Sequence, residues 1–346
     1  MSNEIFESSF STDLLKEYSD TTRDAQAAAL QSGNAFILTE DIRKLIARIP
    51  NTTVSTNALE RFTQETRTAL TKAFNTNSLI VADEATLYGK LAVKLAQVSQ
   101  EAENDGGVVI NLDRFIDNPY LLKKSYARLS MGRFGTSSGE KLRERLGDPP
   151  LREQISEISS SLKERGSNKV TFIDDGLSTI DALEPYVTIA QKEGWQIKQF
   201  ILGVGPFGEG EWNSVPEAKK LSEKAPFVVL PAKNPLDWVC QRDVTVFGGK
   251  MWVKNQTLVT TPYFYPFSNG ASASLPSEKL IEISKSILIA NINLLNEINL
   301  NRTLPLKFLD CMAAGYGLPA SNLETIRTPN PEEYIQTYLE EALNTL

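Results

Sequence analysis

The stretch VTFIDDGLSTIDAL, residues 170–183, says most about the fold of this protein. It opens with apolar and β-branched residues, a pattern typical of a buried strand. Two carboxylates and a glycine (174–176) predict a turn, and the hydroxyl pair Ser178–Thr179 can cap a following helix. Gly194 would end that helix, and the apolar stretch 196–204 predicts a second strand. A strand, a helix and a strand within about 35 residues predict that the two strands pair in parallel.

The same alternation of strands and helices extends over the middle of the chain. Apolar runs at 106–112 and 227–230 predict two more buried strands, and the pattern at 151–165 predicts a helix between them. A hairpin is expected at 243–253, around a Gly-Gly pair. We therefore expect an α/β fold, a mostly parallel sheet flanked by helices, with its core at residues 106–275.

The two ends of the chain predict helices. Residues 1–105 are expected to form a mainly helical N-terminal region, and residues 276–346 to form C-terminal helices that pack on the core. Apolar residues recur at helical spacing in three segments of the N-terminal region: 42–49, 55–74 and 85–100. The segment 277–300 would be apolar around much of its circumference, which predicts burial in the domain or in an interface with a partner protein or a second copy.

Composition narrows the range of possible chemistry. The chain has 346 residues, 41% of them hydrophobic, as in a folded protein of one or two domains. It has no histidine and only two cysteines, Cys240 and Cys311, which excludes Ser-His-Asp and Cys-His catalysis and Cys-rich zinc sites. Catalysis would have to rest on carboxylates, hydroxyls, basic side chains, backbone amides or a hard cation such as Mg²⁺. Without a recognisable leader or a long apolar run, we expect a cytoplasmic protein that does not bind membranes.

Charge is unevenly distributed along the chain. The net charge of −7 argues against a nucleic-acid partner. Residues 123–145 nevertheless hold seven basic side chains and two acidic ones. A basic segment in an acidic protein is typical either of a solvated helix face or of a local anion site.

The segment 170–183 combines two kinds of ligand-binding group. The loop amides and the helix N-terminus, together with the hydroxyls of Ser178 and Thr179, would bind an anion such as phosphate. Asp174 and Asp175 would lie beside that anion, where they can accept hydrogen bonds from sugar hydroxyls or bind Mg²⁺. A ribose 5-phosphate carries both of the groups that this arrangement would recognise.

The segment resembles the phosphoribosyl-pyrophosphate (PRPP) signature of type I phosphoribosyltransferases, in which an apolar strand, an acidic pair and a hydroxyl-rich loop precede a helix. The resemblance implies a phosphoribosyltransferase-like core in which Asp174 and Asp175 contact the ribose hydroxyls or Mg²⁺. The implied phosphate loop consists of Ser178, Thr179, Ile180, Asp181 and Ala182. The implied reaction displaces pyrophosphate from C1′ of PRPP, with Mg²⁺ as cofactor, in favour of an acceptor that the sequence does not identify.

The resemblance also implies a mobile catalytic loop ahead of the signature. The Gly- and Ser-rich segment 125–141 carries Arg128, Arg133 and Lys141, which would bind the pyrophosphate. The segment 106–114 would form the pyrophosphate loop.

Three residues of the phosphate loop depart from the family's pattern. Ile180 replaces a glycine, Asp181 adds a negative charge, and Ala182 replaces a hydroxyl residue. These departures favour an alternative function, in which a catalytically degenerate phosphoribosyltransferase fold acts as a ligand sensor or a protein-binding scaffold. A protein partner would then bind the N-terminal helical region or the helix at 277–300.

Two further classes share an acidic strand end. Haloacid-dehalogenase-type phosphatases need Asp-x-Asp, whereas the residue two positions before Asp175 is Ile173. A response-regulator receiver needs a phosphorylatable aspartate at the end of its third strand, and the run at 227–235 has none. Both classes fit this sequence less well than the PRPP signature.

Overall fold

Strands and helices alternate along most of the chain. The computed structural model describes residues 36–47, 49, 52–74, 79–82, 84–113, 116, 125–136, 139–145, 148–177, 180–205, 223–224, 226–231, 238–247, 250–254, 257–261, 264, 279–300, 302, 305 and 335–346. The α-helices are α1 (Ile42–Ile46), α2 (Thr56–Phe74), α3 (Glu84–Asp105), α4 (Leu151–Glu164), α5 (Glu184–Glu193), α6 (Leu280–Leu300) and α7 (Ile335–Thr345). The strands are β1 (Phe36–Thr39), β2 (Leu79–Ala82), β3 (Val108–Asn111), β4 (Tyr126–Arg128), β5 (Met131–Thr136), β6 (Gly139–Glu144), β7 (Lys169–Gly176), β8 (Gln196–Gly205), β9 (Phe227–Pro231), β10 (Trp238–Cys240), β11 (Lys250–Lys254) and β12 (Thr257–Thr261).

Contacts group the described residues into two units. Unit 1 is drawn from Met1–Val81, Arg133–Lys141 and Val239–Leu346, and unit 2 from Ala82–Gly132 and Leu142–Trp238. Helix α3, which the sequence assigned to the N-terminal region, therefore belongs to the same unit as β3 and β7. No helix in the described part of the chain combines the length and the apolar character needed to cross a membrane.

Unit 2 is built on a five-stranded parallel sheet in the order β4-β3-β7-β8-β9. Counted along the chain, this order is 2-1-3-4-5, which is the order of a doubly wound α/β fold. All of its inner strands read as apolar runs, because a sheet with helices on both faces has no solvent-facing side. The predicted α/β class with mostly parallel pairing is confirmed.

Helices cover both faces of this sheet. On one face, Val108, Ile110, Phe172 and Phe200 pack with buried residues of α4 and α5 in one apolar cluster, and the rings of Phe172 and Phe200 stack at 5.3 Å. The alternate residues of the same strands are also buried, and α3 packs on β3, β7 and β8. Side chains of a strand alternate between faces, so α3 covers the opposite side.

The described residues of unit 1 form four α-helices and the larger part of two smaller sheets. The sheets have the orders β10-β1-β2 and β12-β11-β5-β6, the latter with β11 parallel to β5 and antiparallel to β12. Helix α6 packs against α2 and α7, and Leu294, Leu295 and Ile298 are among its buried residues. Ile281 and Ile289 on the same helix are 55% and 46% exposed, so the predicted burial holds for part of its circumference.

The structure differs from the sequence predictions in the N-terminal region and in the segment 125–141. The helices expected at 42–49, 55–74 and 85–100 are present as α1, α2 and α3, but β1 precedes α1 and β2 lies between α2 and α3. Four-residue strands are too short to show a period that distinguishes them from helix. The segment expected as a mobile catalytic loop forms β4, β5 and part of β6, in which β4 pairs with β3, and β5 pairs with β11 and β6.

Two other local predictions are corrected. Within the described residues, the first strand of the hairpin expected at 243–253 does not form, since residues 241–244 are a 3₁₀ turn, whereas the second strand is present as β11 and pairs with β12 instead. The carboxylates Asp174 and Asp175 belong to strand β7 rather than to a turn. A 3₁₀ turn at Ile180–Leu183 follows, and helix α5 begins only at Glu184, because Pro185 fits the first turn of a helix.

Candidate metal centre

The carboxyl ends of β3 and β7 lie side by side, at the point in the sheet where the chain leaves the two strands toward opposite sides. The two strands are neighbours, but the chain passes from β3 to β4 on one side and from β7 to β8 on the other. Ligands of doubly wound proteins bind in the crevice at such a switch point. Asp113 follows β3 by two residues, and Asp174 and Asp175 are among the last three residues of β7. The topology therefore brings three carboxylates to this crevice.

These three carboxylates form a tight, buried cluster. One oxygen from each of Asp113, Asp174 and Asp175 lies within 4.8 Å of the other two. Their residues are only 3%, 8% and 4% exposed, respectively. Buried acidic side chains are rare unless they are paired or bind a cation.

A local hydrogen-bond network shapes the loop that carries Asp113. The amide of Asp113 donates to Asn111 Oδ1 (3.0 Å), and the amide of Ile116 donates to Asp113 Oδ1 (3.1 Å). Asn111 Nδ2 donates to the carbonyl of Ile116 (3.0 Å) and to the hydroxyl of Tyr126 on β4 (2.7 Å). These bonds tie both ends of the loop to the sheet, so the Asp113 carboxylate is held in place before any ligand arrives.

The close approach of β8 holds the other two carboxylates. Gly203 packs against the backbone of Asp175: a Cβ at this position would lie 2.3 Å from the Asp175 carbonyl oxygen. The amide of Asp175 also donates to Asp174 Oδ1 (2.9 Å). Only glycine lets the two strands approach this closely, and the position of the acidic pair depends on it.

Burial and mutual repulsion disturb the titration of the cluster. Burial raises the pKa of Asp174 well above its ordinary value of 3.8, and the neighbouring charges of Asp175 and Asp113 raise that pKa further. The positive charge of Arg145 acts in the opposite direction and lowers the pKa of Asp174. Two charges about 4.8 Å apart repel by roughly 3 kcal/mol at an effective dielectric constant of about 20. The fully ionised cluster therefore needs more positive charge than Arg145 supplies.

A hard divalent cation matches this donor set. Three carboxylate oxygens suit Mg²⁺, Mn²⁺ or Ca²⁺, and the described residues of unit 2 include neither histidine nor cysteine to favour zinc or copper. Oxygens bound to one Mg²⁺ at about 2.1 Å lie roughly 3 to 4 Å apart, which the 4.8 Å limit of the cluster accommodates. The residues present fit a magnesium-type site.

The sequence-predicted site residues are only partly brought together. Asp174 and Asp175 lie in the cluster, Ser178 and Thr179 lie outside the described residues, and Ala182 is buried in the apolar core of unit 2. Ile180 and Asp181 lie in the 3₁₀ turn, and their side chains are outside the described ones. Arg133 and Lys141 lie in β5 and β6 of unit 1, and their side chains are likewise outside the described ones.

Arg128 lines a different cavity. A cleft of about 860 Å³ runs along the edge strand β4 and is lined by Tyr126, Arg128, Ser130 and residues of α4, among others. Four carboxylates line it against two arginines. An acidic lining of this kind disfavours a pyrophosphate ligand.

Asp113 and Asn111 were not singled out from the sequence, although both lie in the segment 106–114. A polar residue directly after a buried strand is the signal that would have found them, since carboxyl ends of parallel strands share one edge. Comparison of the chain with protein-family models, with curated proteins and with solved structures finds no match.

Proposed function

We propose that this protein binds Mg²⁺ through Asp113, Asp174 and Asp175 and, together with it, a phosphorylated ligand, for which PRPP or another ribose 5-phosphate is the first candidate. The observation that carries the proposal is the buried three-carboxylate cluster at the switch point of the parallel sheet. Sugar hydroxyls alone would leave its negative charge uncompensated. A bound Mg²⁺ would neutralise the cluster and supply positive charge for a phosphate.

The resemblance to the PRPP signature supplies the ligand class. Asp174 and Asp175 match the acidic pair of that signature, and their burial beside Asp113 favours a role in cation binding over direct contact with ribose. Phosphoribosyl transfer remains the proposed reaction: the bond from C1′ to pyrophosphate breaks, and C1′ forms a bond to an acceptor. It requires no histidine, in keeping with the composition of the chain.

Titration of Mg²⁺ and Mn²⁺ into the wild type, Asp113→Asn and Asp174→Asn tests the cation site. Isothermal titration calorimetry and Mn²⁺ electron paramagnetic resonance should show one site per chain, weakened at least about tenfold in each variant. Glu153→Gln, which changes an exposed carboxylate on α4, should bind like the wild type. A wild type without cation affinity would refute the metal centre.

PRPP is then titrated in saturating Mg²⁺, and pyrophosphate release is assayed with a panel of bases and amines. Binding to the wild type that is lost in Asp174→Asn would support the ligand class. Cation binding without PRPP binding would refute that class while leaving the metal centre standing. If Asp174→Asn binds both Mg²⁺ and PRPP as the wild type does, the metal centre and the ligand class are both refuted. The sensor or scaffold alternative would then be favoured.

A further inference from the structure

Arg145 is a basic side chain fixed at the same edge of the sheet as the cluster. Its amide donates to the carbonyl of Ser130 (3.2 Å), and its Nε donates to the carbonyl of Met131 (2.9 Å), both just beyond β4. The amide of Leu129, the residue before Ser130, donates to the carbonyl of Asn111 at the end of β3 (3.0 Å). Arg145 is thus anchored one strand away from the loop of Asp113.

The guanidinium of Arg145 has donors to spare. An arginine has five N–H donors, and the bond to Met131 uses one of them. Within the described part of the chain, Arg145 forms no ion pair with a carboxylate. Glu144 accepts from the amide of Leu151 (3.4 Å), and Asp148 accepts from the hydroxyl of Ser130.

We propose that Arg145 binds a phosphate group of the ligand beside the cation held by Asp113, Asp174 and Asp175, so that the ligand is a di- or polyphosphate ester contacted by both. This inference rests on the proposed function and names the residue that would recognise its anionic group. A fixed guanidinium matches phosphate geometry with two parallel hydrogen bonds, and it remains charged at all relevant pH values. Its bonds to Ser130 and Met131, next to the end of β4, place it at the sheet edge that carries the loop of Asp113.

The competing role for Arg145 is that of a structural counter-ion for the aspartates. The two roles predict opposite results when the charge is removed. If Arg145 only balances the charge of the aspartates, a bound cation takes over that role. Removing the charge of Arg145 would then leave the affinity for the anion unchanged. A phosphate-binding arginine is needed for the anion, and its loss leaves the cation site intact or strengthens it, since one repelling positive charge is gone.

The test is the affinity of inorganic pyrophosphate and of Mn²⁺ for the wild type, Arg145→Met, Arg145→Lys and the control Arg152→Met. Arg152 is an exposed arginine at the start of α4 in the same unit. In saturating Mg²⁺, Arg145→Met should bind pyrophosphate about 10- to 100-fold more weakly, and Arg145→Lys should fall between it and the wild type. Mn²⁺ affinity without pyrophosphate should be unchanged or higher in Arg145→Met, and Arg152→Met should match the wild type in both titrations.

Each other outcome overturns the inference. Pyrophosphate affinity of Arg145→Met within twofold of the wild type would show that Arg145 does not contact the anion. Parallel loss of Mn²⁺ and pyrophosphate affinity would show that Arg145 supports the fold of the site. A wild type that binds Mn²⁺ but not pyrophosphate would refute the role of Arg145, whereas a wild type that binds neither would refute the metal centre itself.

Discussion

At the scale of single residues, Asn111 determines where the Asp113 carboxylate lies. It is 2% exposed, and its side chain bonds the amide of Asp113, the carbonyl of Ile116 and the hydroxyl of Tyr126. A buried amide with three partners acts through the ligand it positions, in the way that second-sphere groups orient the ligands of metal sites. Asn111 is therefore a positioning residue for the proposed cation.

Asn111→Ala should weaken cation binding without removing a carboxylate. We expect Mg²⁺ affinity to fall about 10- to 100-fold, because the loop of Asp113 loses its anchor. Tyr126→Phe removes only one of the three partners and should have a smaller effect. Calorimetric titration of both variants checks this. Equal affinity of Asn111→Ala and the wild type would contradict the positioning role.

At the scale of elements, the contact between β7 and β8 sets the position of the acidic pair. The register pairs Asp174 with Leu202 and Gly176 with Val204, so Gly203 lies beside Asp175. A Cβ at Gly203 would meet backbone atoms of Asp175 rather than a flexible side chain. The two strands cannot accept that atom without shifting.

Gly203→Ala should reduce both stability and cation affinity. Forcing one methyl group into this contact is expected to cost about 1–3 kcal/mol of unfolding free energy, and the shift in β7 should weaken Mg²⁺ binding. Gly89→Ala is the matched control, since Gly89 lies in helix α3 with open space around it and alanine favours helix. Urea denaturation and Mg²⁺ titration of both variants measure the two effects. A Gly203→Ala variant as stable as the wild type would show that the strands separate at no cost.

At the scale of the whole molecule, the cluster links stability to pH and to divalent cations. Rising pH lowers the free energy of unfolding of the cation-free protein, whereas it strengthens cation binding. The pKa of Asp174 is raised in the folded chain, so between its ordinary value of 3.8 and the raised value the folded state binds more protons than the unfolded state. The free energy of unfolding then falls as the pH rises through that window. Cation binding needs the ionised form, so Mg²⁺ affinity rises through the same window.

This pH dependence of stability is measured by urea denaturation of the wild type and Asp174→Asn between about pH 5 and about pH 8. In a chelator, Asp174→Asn should gain stability relative to the wild type as the pH rises, because asparagine carries no charge to bury. In Mg²⁺ the wild type should be stabilised by about 2.7 kcal/mol when the free cation is at 100 times its dissociation constant, and Asp174→Asn by about 1.4 kcal/mol or less at the same concentration. A stability difference that is independent of pH would contradict the raised pKa.

The sequence by itself determined the local elements. Apolar runs and helical spacing predicted β3, β7, β8 and β9, the helix α4 and the long helix α6. A buried strand or helix face requires apolar residues in a run or at a regular spacing, which is visible in the sequence. It also pointed to Asp174 and Asp175, since two carboxylates directly after an apolar run are visible without a structure. The short strands β1 and β2 were missed, because four residues carry too little of a period.

The tertiary structure alone decided that β3 and β7 are neighbours. Periodicity reports that a strand is buried, but the pairing of β3 with β7 joins segments about 60 residues apart, and no local pattern encodes it. That pairing brings Asp113 within 4.8 Å of Asp174 and Asp175 and turns an acidic pair into a three-carboxylate site. A second pairing, of β4 with β3, places Arg145 at that edge of the sheet through its contacts with Ser130 and Met131.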